Sequence, residues 1–122
     1  MLKVQTTKCG NVTVFCVQGR IVRGETDALR SAVLAEPDVS AVVLDLARVS
    51  IIDAGGLGVM LELRAQLELQ GIEFRLRNVT KLVQQILAIT RLDEVFEILN
   101  EREPRHVRFA RAAGSFHAAA CA

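Results

Sequence analysis

The sequence predicts an α/β domain: a mixed four- to five-stranded sheet with helices packed on it, in the order β-β-α-β-α-β-α-β. Three observations carry this expectation. The run Ala41-Val42-Val43-Leu44-Asp45-Leu46 is nearly all apolar and lacks the polar alternation of a half-exposed strand. It therefore suits a central parallel strand buried on both faces. The first 18 residues instead alternate around a turn at Cys9-Gly10-Asn11, which reads as a hairpin. Beyond the hairpin, helical and strand patterns follow one another, and that alternation implies right-handed crossovers onto one sheet.

Taken in order, Leu2, Val4 and Thr6 alternate with Lys3, Gln5 and Thr7 in a half-exposed first strand. Residues 12–18 form a better covered second strand, ended by Gly19. A first helix is predicted over about 25–35, with Ala28, Leu29, Ala32 and Val33 inward. Glu25 and Asp27 then lie in its first turn, where negative charge suits the positive end of the helix dipole. Glu36-Pro37-Asp38 breaks that helix, since proline disfavours a helical residue before it. The central strand leads through a loop, Arg48-Val49-Ser50-Ile51-Ile52, into Asp53-Ala54-Gly55-Gly56-Leu57-Gly58 and a second helix to about Gln70.

Gly71 stops that helix. Leu57, Met60, Leu61, Leu63 and Leu67 fall on its inward arc, while Val59 and Leu69 lie off it and are either covered by other parts of the chain or exposed. Ile72, Phe74 and Leu76 alternate with Glu73, Arg75 and Arg77 in a fourth strand with one buried and one charged face, placed near a sheet edge. Thr80 is the expected N-cap of a third helix through about Thr90, with Leu82, Ile86 and Ile89 inward. Residues 95–99 read as a short fifth strand.

Composition limits the function. With 122 residues, 51% hydrophobic and 4% aromatic, the chain predicts one aliphatic core in which Phe15, Phe74 and Phe96 are the large pieces. Without Trp or Tyr and with a net charge of +1, it offers neither base-stacking platforms nor a general pull toward nucleic acid. No leader pattern and no apolar stretch of membrane-spanning length is present, so the expected setting is cytoplasmic, without membrane insertion. Cys9, Cys16 and Cys121 show no C-x-x-C spacing and read as three ordinary thiols, with a Cys9–Cys16 contact across the hairpin as a redox alternative. His106 and His117 sit in no metal-ligand spacing, and no metal or other cofactor is predicted. Asp45 and Asp53, eight residues apart, give no ground for paired acid/base work. Asp45 reads as an acceptor of loop hydrogen bonds.

One stretch carries a resemblance. Asp53-Ala54-Gly55-Gly56-Leu57-Gly58, behind Val43-Leu44-Asp45-Leu46 and Ile51-Ile52, resembles the Asp-Ser-Ser/Ala-Gly-Leu-Gly signature of the STAS domains of bacterial anti-sigma-factor antagonists. Gly19-Arg20-Ile21-Val22-Arg23-Gly24-Glu25 resembles that family's second-strand exit. Asn78-Val79-Thr80 through Thr90-Arg91-Leu92 resembles its third-helix region. The resemblance implies a STAS fold over residues 1–100, with 101–122 as a C-terminal extension. Ala54 stands where the family carries its phosphorylatable serine.

The resemblance further implies an interaction module and not an enzyme. Its partner would be an anti-sigma factor of the GHKL kinase type, bound through Asp53, Ala54, Gly55, Gly56, Val59 and Glu62. Asp53 would orient the loop by capping the helix. A STAS subunit of a stress-signalling assembly or of a lipid-transport ABC system is the alternative within the fold, and a homo-oligomer is left open. A small nucleotide-binding protein or hydrolase is the alternative from another class, disfavoured because Gly55-Gly56-Leu57-Gly58 lacks both G-x-G-x-x-G and a P-loop lysine. In the extension, Arg102, Arg105, Arg108 and Arg111 face only Glu101 and Glu103 in number; without interleaved aromatics this reads as a solvated tail.

Overall fold

A computed structural model describes residues 2–35 and 38–99. Eight elements and one 3₁₀ turn follow in sequence: β1 (Lys3–Cys9), β2 (Val12–Ile21), α1 (Asp27–Leu34), β3 (Ala41–Ile52), α2 (Ala54–Leu69), β4 (Glu73–Arg77), α3 (Lys81–Ile89), the turn Leu92–Glu94 and β5 (Glu97–Leu99). One mixed five-stranded sheet results, with strands in chain order β1-β2-β3-β4-β5. β1 pairs antiparallel to β2, and every later pairing is parallel. The expected STAS-type element order and mixed sheet are therefore present. Because each helix joins two parallel neighbours, all three begin at one end of the sheet and finish at the other.

β3 is the centre. Ala41 to Leu46 are buried without exception, as an unbroken apolar strand between two neighbours requires. Phe15, Val42, Leu44, Leu46, Phe74 and Leu76 turn toward the helices. They form one cluster with Leu29 and Val33 of α1, Met60, Leu63 and Leu67 of α2, and Val83 and Leu87 of α3. Phe15, Phe74 and Phe96 are all buried, the last two with ring centroids 6.0 Å apart. The alternate side chains Val12, Val14, Cys16, Ala41 and Val43 make a second cluster on the other face.

Several expectations are corrected. β3 continues through Ile52, so Ser50 lies in a strand and not in a loop; its Oγ donates to the Gly19 carbonyl at 3.3 Å. α1 starts at Asp27, which leaves Glu25 outside the helix in an ion pair with Arg20 at 3.2 Å. Ala28 is exposed. α3 turns Val83 and Leu87 inward, with Ile86 half-buried, while Leu82 and Ile89 are 45% and 82% exposed. Its two apolar stripes lie one residue apart, and packing selects the one adjoining Thr80, whose side chain accepts from Val83 N. β4 lies near the sheet edge, one strand in, and its charged face is open only in part: Glu73 is exposed and Arg75 half-buried, but Arg77 is buried against Asp45.

Cysteine chemistry also differs from expectation. Cys9 carries a thiol and Cys16 is disulfide-bonded, so neither three ordinary thiols nor a Cys9–Cys16 bond describes the chain. Cys121, both histidines, Glu36, Pro37 and the arginine-containing extension lie outside the described residues.

Candidate functional site

The site is the junction between β3 and α2, and Asp53 builds it. Its backbone is extended, at φ −102° and ψ −176°, so it serves as the N-cap of α2 and its carboxylate reaches back over the first turn. Oδ1 accepts from Gly56 N at 2.8 Å. The two carboxylate oxygens also accept from Arg23 N, at 3.1 and 3.2 Å. Asp53 N donates to the Ile21 carbonyl at 3.3 Å. Asp53 thus acts beyond capping: it fastens the exit of β2 to the start of α2, two segments thirty residues apart. The Gly56 amide first, and then that of Arg23, hold its carboxyl below the ordinary value of 3.8.

The glycines fit this closure. A Cβ on Gly56 would stand 1.9 Å from the Ile21 carbonyl oxygen, so no side chain is admitted where α2 crosses the end of β2. At Gly55 the added atom would meet Arg23 Cβ at 2.7 Å, whereas at Gly58 it would meet nothing within 4 Å. Ala54, the first residue of α2, is exposed and presents a methyl group at the tip of the junction.

The predicted contact residues divide accordingly. Asp53, Ala54 and Glu62 are exposed and Gly55 is half-exposed, whereas Gly56 is buried and Val59, 8% exposed, belongs to the core. Val59 therefore supports the surface from beneath. It could have been placed from sequence by starting the inward stripe at Gly56, since 56, 59, 60, 63 and 67 follow helical spacing. Leu69, the other residue off the predicted arc, is exposed. Glu62 accepts from Arg30 at 3.0 Å and from Gln66 at 3.3 Å, which ties α2 to α1. Gly58 completes the outer first turns with open space around it.

A second polar group lies in the sheet and was only half legible. Asp45 Oδ2 accepts from Arg77 Nε at 2.9 Å, Arg77 Nη2 at 2.7 Å and Asn78 Nδ2 at 2.9 Å, and its Oδ1 accepts from Ala47 N at 3.1 Å. Asp45 therefore does accept loop hydrogen bonds, as expected. Arg77 was read as a surface charge, but parallel register sets it opposite Asp45, where the two are 4% and 1% exposed. A buried pair with this many hydrogen bonds locks β3 to β4, and removing either partner would leave the other charge buried alone. Among the described residues no group of three or more His, Cys, Asp or Glu side chains is placed to hold a metal ion, and no helix is long and apolar enough to cross a membrane.

The order of elements, the capped glycine junction and the exposed residue at its tip agree with one family, and the STAS domain model matches residues 3–104. The chain belongs to the STAS domain family. A curated relative is BtrV of Bordetella bronchiseptica, whose name places it among the anti-sigma factor antagonists. It is 29% identical over 114 residues, covering 91% of this chain and 97% of that protein. Two solved structures of anti-sigma factor antagonists share the STAS fold. Unphosphorylated SpoIIAA of Bacillus has a TM-score of 0.70 at 17% identity, covering 92% of this chain and 97% of that one. An antagonist from Mycobacterium paratuberculosis has a TM-score of 0.72 at 20% identity, covering 94% and 93%. SpoIIAA is also known in a phosphorylated form.

Proposed function

We propose that this STAS protein binds an anti-sigma factor of the GHKL kinase type through the β3–α2 junction, as an antagonist that is not switched by phosphorylation there. The observation that carries the reading is the junction itself: an Asp53-fastened turn that holds Ala54 outward at the first residue of a long helix. Asp53 and Gly56 set the shape. Ala54, Gly55, Gly58 and the Arg30–Glu62 pair supply the contact surface, with Gly56 and Val59 packed below it.

The reading also explains what Ala54 removes. A phosphoserine brings about −1.5 to −2 charges at neutral pH, and at an interface that charge releases a partner by repulsion and desolvation. A methyl group accepts no phosphate. Binding is then set by the amounts of the two proteins or by the partner's own state. Ser50 does not replace the missing hydroxyl, since it lies within β3 and donates to Gly19. Intact-mass measurement of the protein purified from its own cells tests this: the unmodified chain mass is expected, and a stoichiometric phosphate on the chain would overturn the proposal of a constitutively active antagonist.

A further inference from the structure

Charge is distributed unevenly over the sheet face that turns away from the helices. On β4 and β5 its acids are engaged: Glu73 and Glu97 both pair with Arg75. The strands β1, β2 and β3 contain a single acid, Asp45, and Arg77 takes it. Their cations are not balanced in this way. Lys3 stands opposite Gln18, and Gln18 opposite Arg48, so two exposed cations flank a neutral side chain across three strands. Val4, Val17 and Val49, the next residues along, pack into the helical cluster, which turns Lys3, Gln18 and Arg48 to the other face. Arg23 is also exposed; its backbone is held by Asp53, and its Cβ lies against Gly55 at the junction. Arg20 is neutralised by Glu25, but among the described residues no ion pair engages Lys3, Arg23 or Arg48.

We infer that the contact surface continues from the β3–α2 junction onto this face as a basic strip of Arg23, Arg48 and Lys3, and that the partner meets it with an acidic segment, an extension that rests on the junction being the contact site. The dimensions suit a short extended peptide. Arg48 precedes Asp53 by five residues, about 16 Å at about 3.3 Å per residue, and Lys3 lies two strands from Arg48, about 10 Å at about 4.8 Å per strand. Three cations without Trp or Tyr in the chain, at a net charge of +1, make a poor track for nucleic acid and favour protein carboxylates.

The strip acts mainly on the rate of encounter. An exposed ion pair adds little affinity, because water screens both charges and two long side chains lose freedom. Like charges grouped at the rim of an interface instead attract the opposite charge before contact, which raises the association rate and sets the approach. Arg23 stands beside Ala54, so an acidic segment drawn along the strip arrives with its neighbouring surface over the first turn of α2.

Two measurements on the full chain test the strip. In the first, an acetylated hexaglutamate peptide is titrated at low salt into isotope-labelled protein followed by amide NMR. Shifts are expected at Lys3, Gln18, Arg23 and Arg48, and should vanish in the double variant Lys3→Glu with Arg48→Glu. In the second, association with the anti-sigma kinase is followed by stopped flow from about 0.01 M to about 1 M salt, which shortens the screening length from about 30 Å to about 3 Å. At low salt the double variant should associate at least about tenfold more slowly than wild type, with a nearly unchanged dissociation rate, and the two should converge at high salt. Lys3→Gln with Arg48→Gln should lie between them, and thermal melting of each variant separates lost charge from lost fold. A rate indifferent to salt and to the reversal would overturn the strip, and the junction would still stand if Ala54→Glu, measured beside it, lost affinity. A slowed double variant with Ala54→Glu unaffected would keep the strip and overturn the junction. Peptide shifts elsewhere on the protein, or capture of wild type but not of the double variant by a DNA duplex or by phosphatidylserine vesicles at physiological salt, would overturn the assignment of an acidic protein segment.

Discussion

Gly56 and Gly58 are two residues apart in the same helical turn, yet alanine at the two positions should act in opposite directions. At Gly56 the new Cβ falls 1.9 Å from the Ile21 carbonyl oxygen and 2.7 Å from its carbon, and both are backbone atoms that cannot rotate away. Either α2 lifts from β2 or the end of β2 bends, and overpacking of this kind costs about 1–3 kcal/mol. At Gly58 nothing lies within 4 Å. Replacing a helical glycine by alanine there should stabilise by about 0.5–1 kcal/mol, because less backbone entropy is lost on folding. For a chain of this size 1 kcal/mol moves the melting temperature by roughly 3–6 °C. Urea titration at constant m-value is the assay, with Gly56→Ala unfolding at lower and Gly58→Ala at higher urea than wild type. Equal midpoints, or a larger loss at Gly58, would refute the close approach of α2 to Ile21 on which the junction depends.

Asp45→Leu alone should cost about 3–5 kcal/mol, because Arg77 then stays buried without its carboxylate, while Asp45→Leu with Arg77→Met should recover most of that in the same titration. Leu63→Ala, in the core, should cost about 2–5 kcal/mol, and Ile89→Ala, at an exposed position, less than about 0.5 kcal/mol. Asp53 has a folded carboxyl value below 3.8, so its contribution is complete above the unfolded value and is lost as pH falls through the folded one. Acid titration of stability should therefore be shallower below about pH 4 in Asp53→Asn than in wild type; parallel curves would contradict the hold of the Gly56 and Arg23 amides on this carboxyl.

The parts of the fold that read directly from sequence were those fixed by one strong local signal. The six apolar residues from Ala41 announced a doubly buried strand, and Thr80 announced a helix start that its bond to Val83 N fulfils. The third helix failed in phase because Leu82-Val83 and Ile86-Leu87 each offer two adjacent apolar positions, and only packing against the sheet chooses between them. Arg77 failed for a similar reason. Its alternation marks a face, but whether that face is wet depends on what lies opposite in register, here Asp45. At the junction, Asp53 was legible as a cap, whereas its second grip on Arg23 joins segments thirty residues apart and has no local signature.

The central claim is that the partner meets the exposed first turns of α2 around Ala54. Calorimetric titration of the anti-sigma kinase with wild type, Ala54→Ser and Ala54→Glu tests it most directly. Wild type and Ala54→Ser should bind with nearly equal affinity, since a hydroxyl adds little volume at an exposed helix start. Ala54→Glu should bind at least about tenfold more weakly, because a charge desolvated without a partner costs more than about 1.4 kcal/mol. Equal affinity of wild type and Ala54→Glu would place the interface elsewhere and contradict the account.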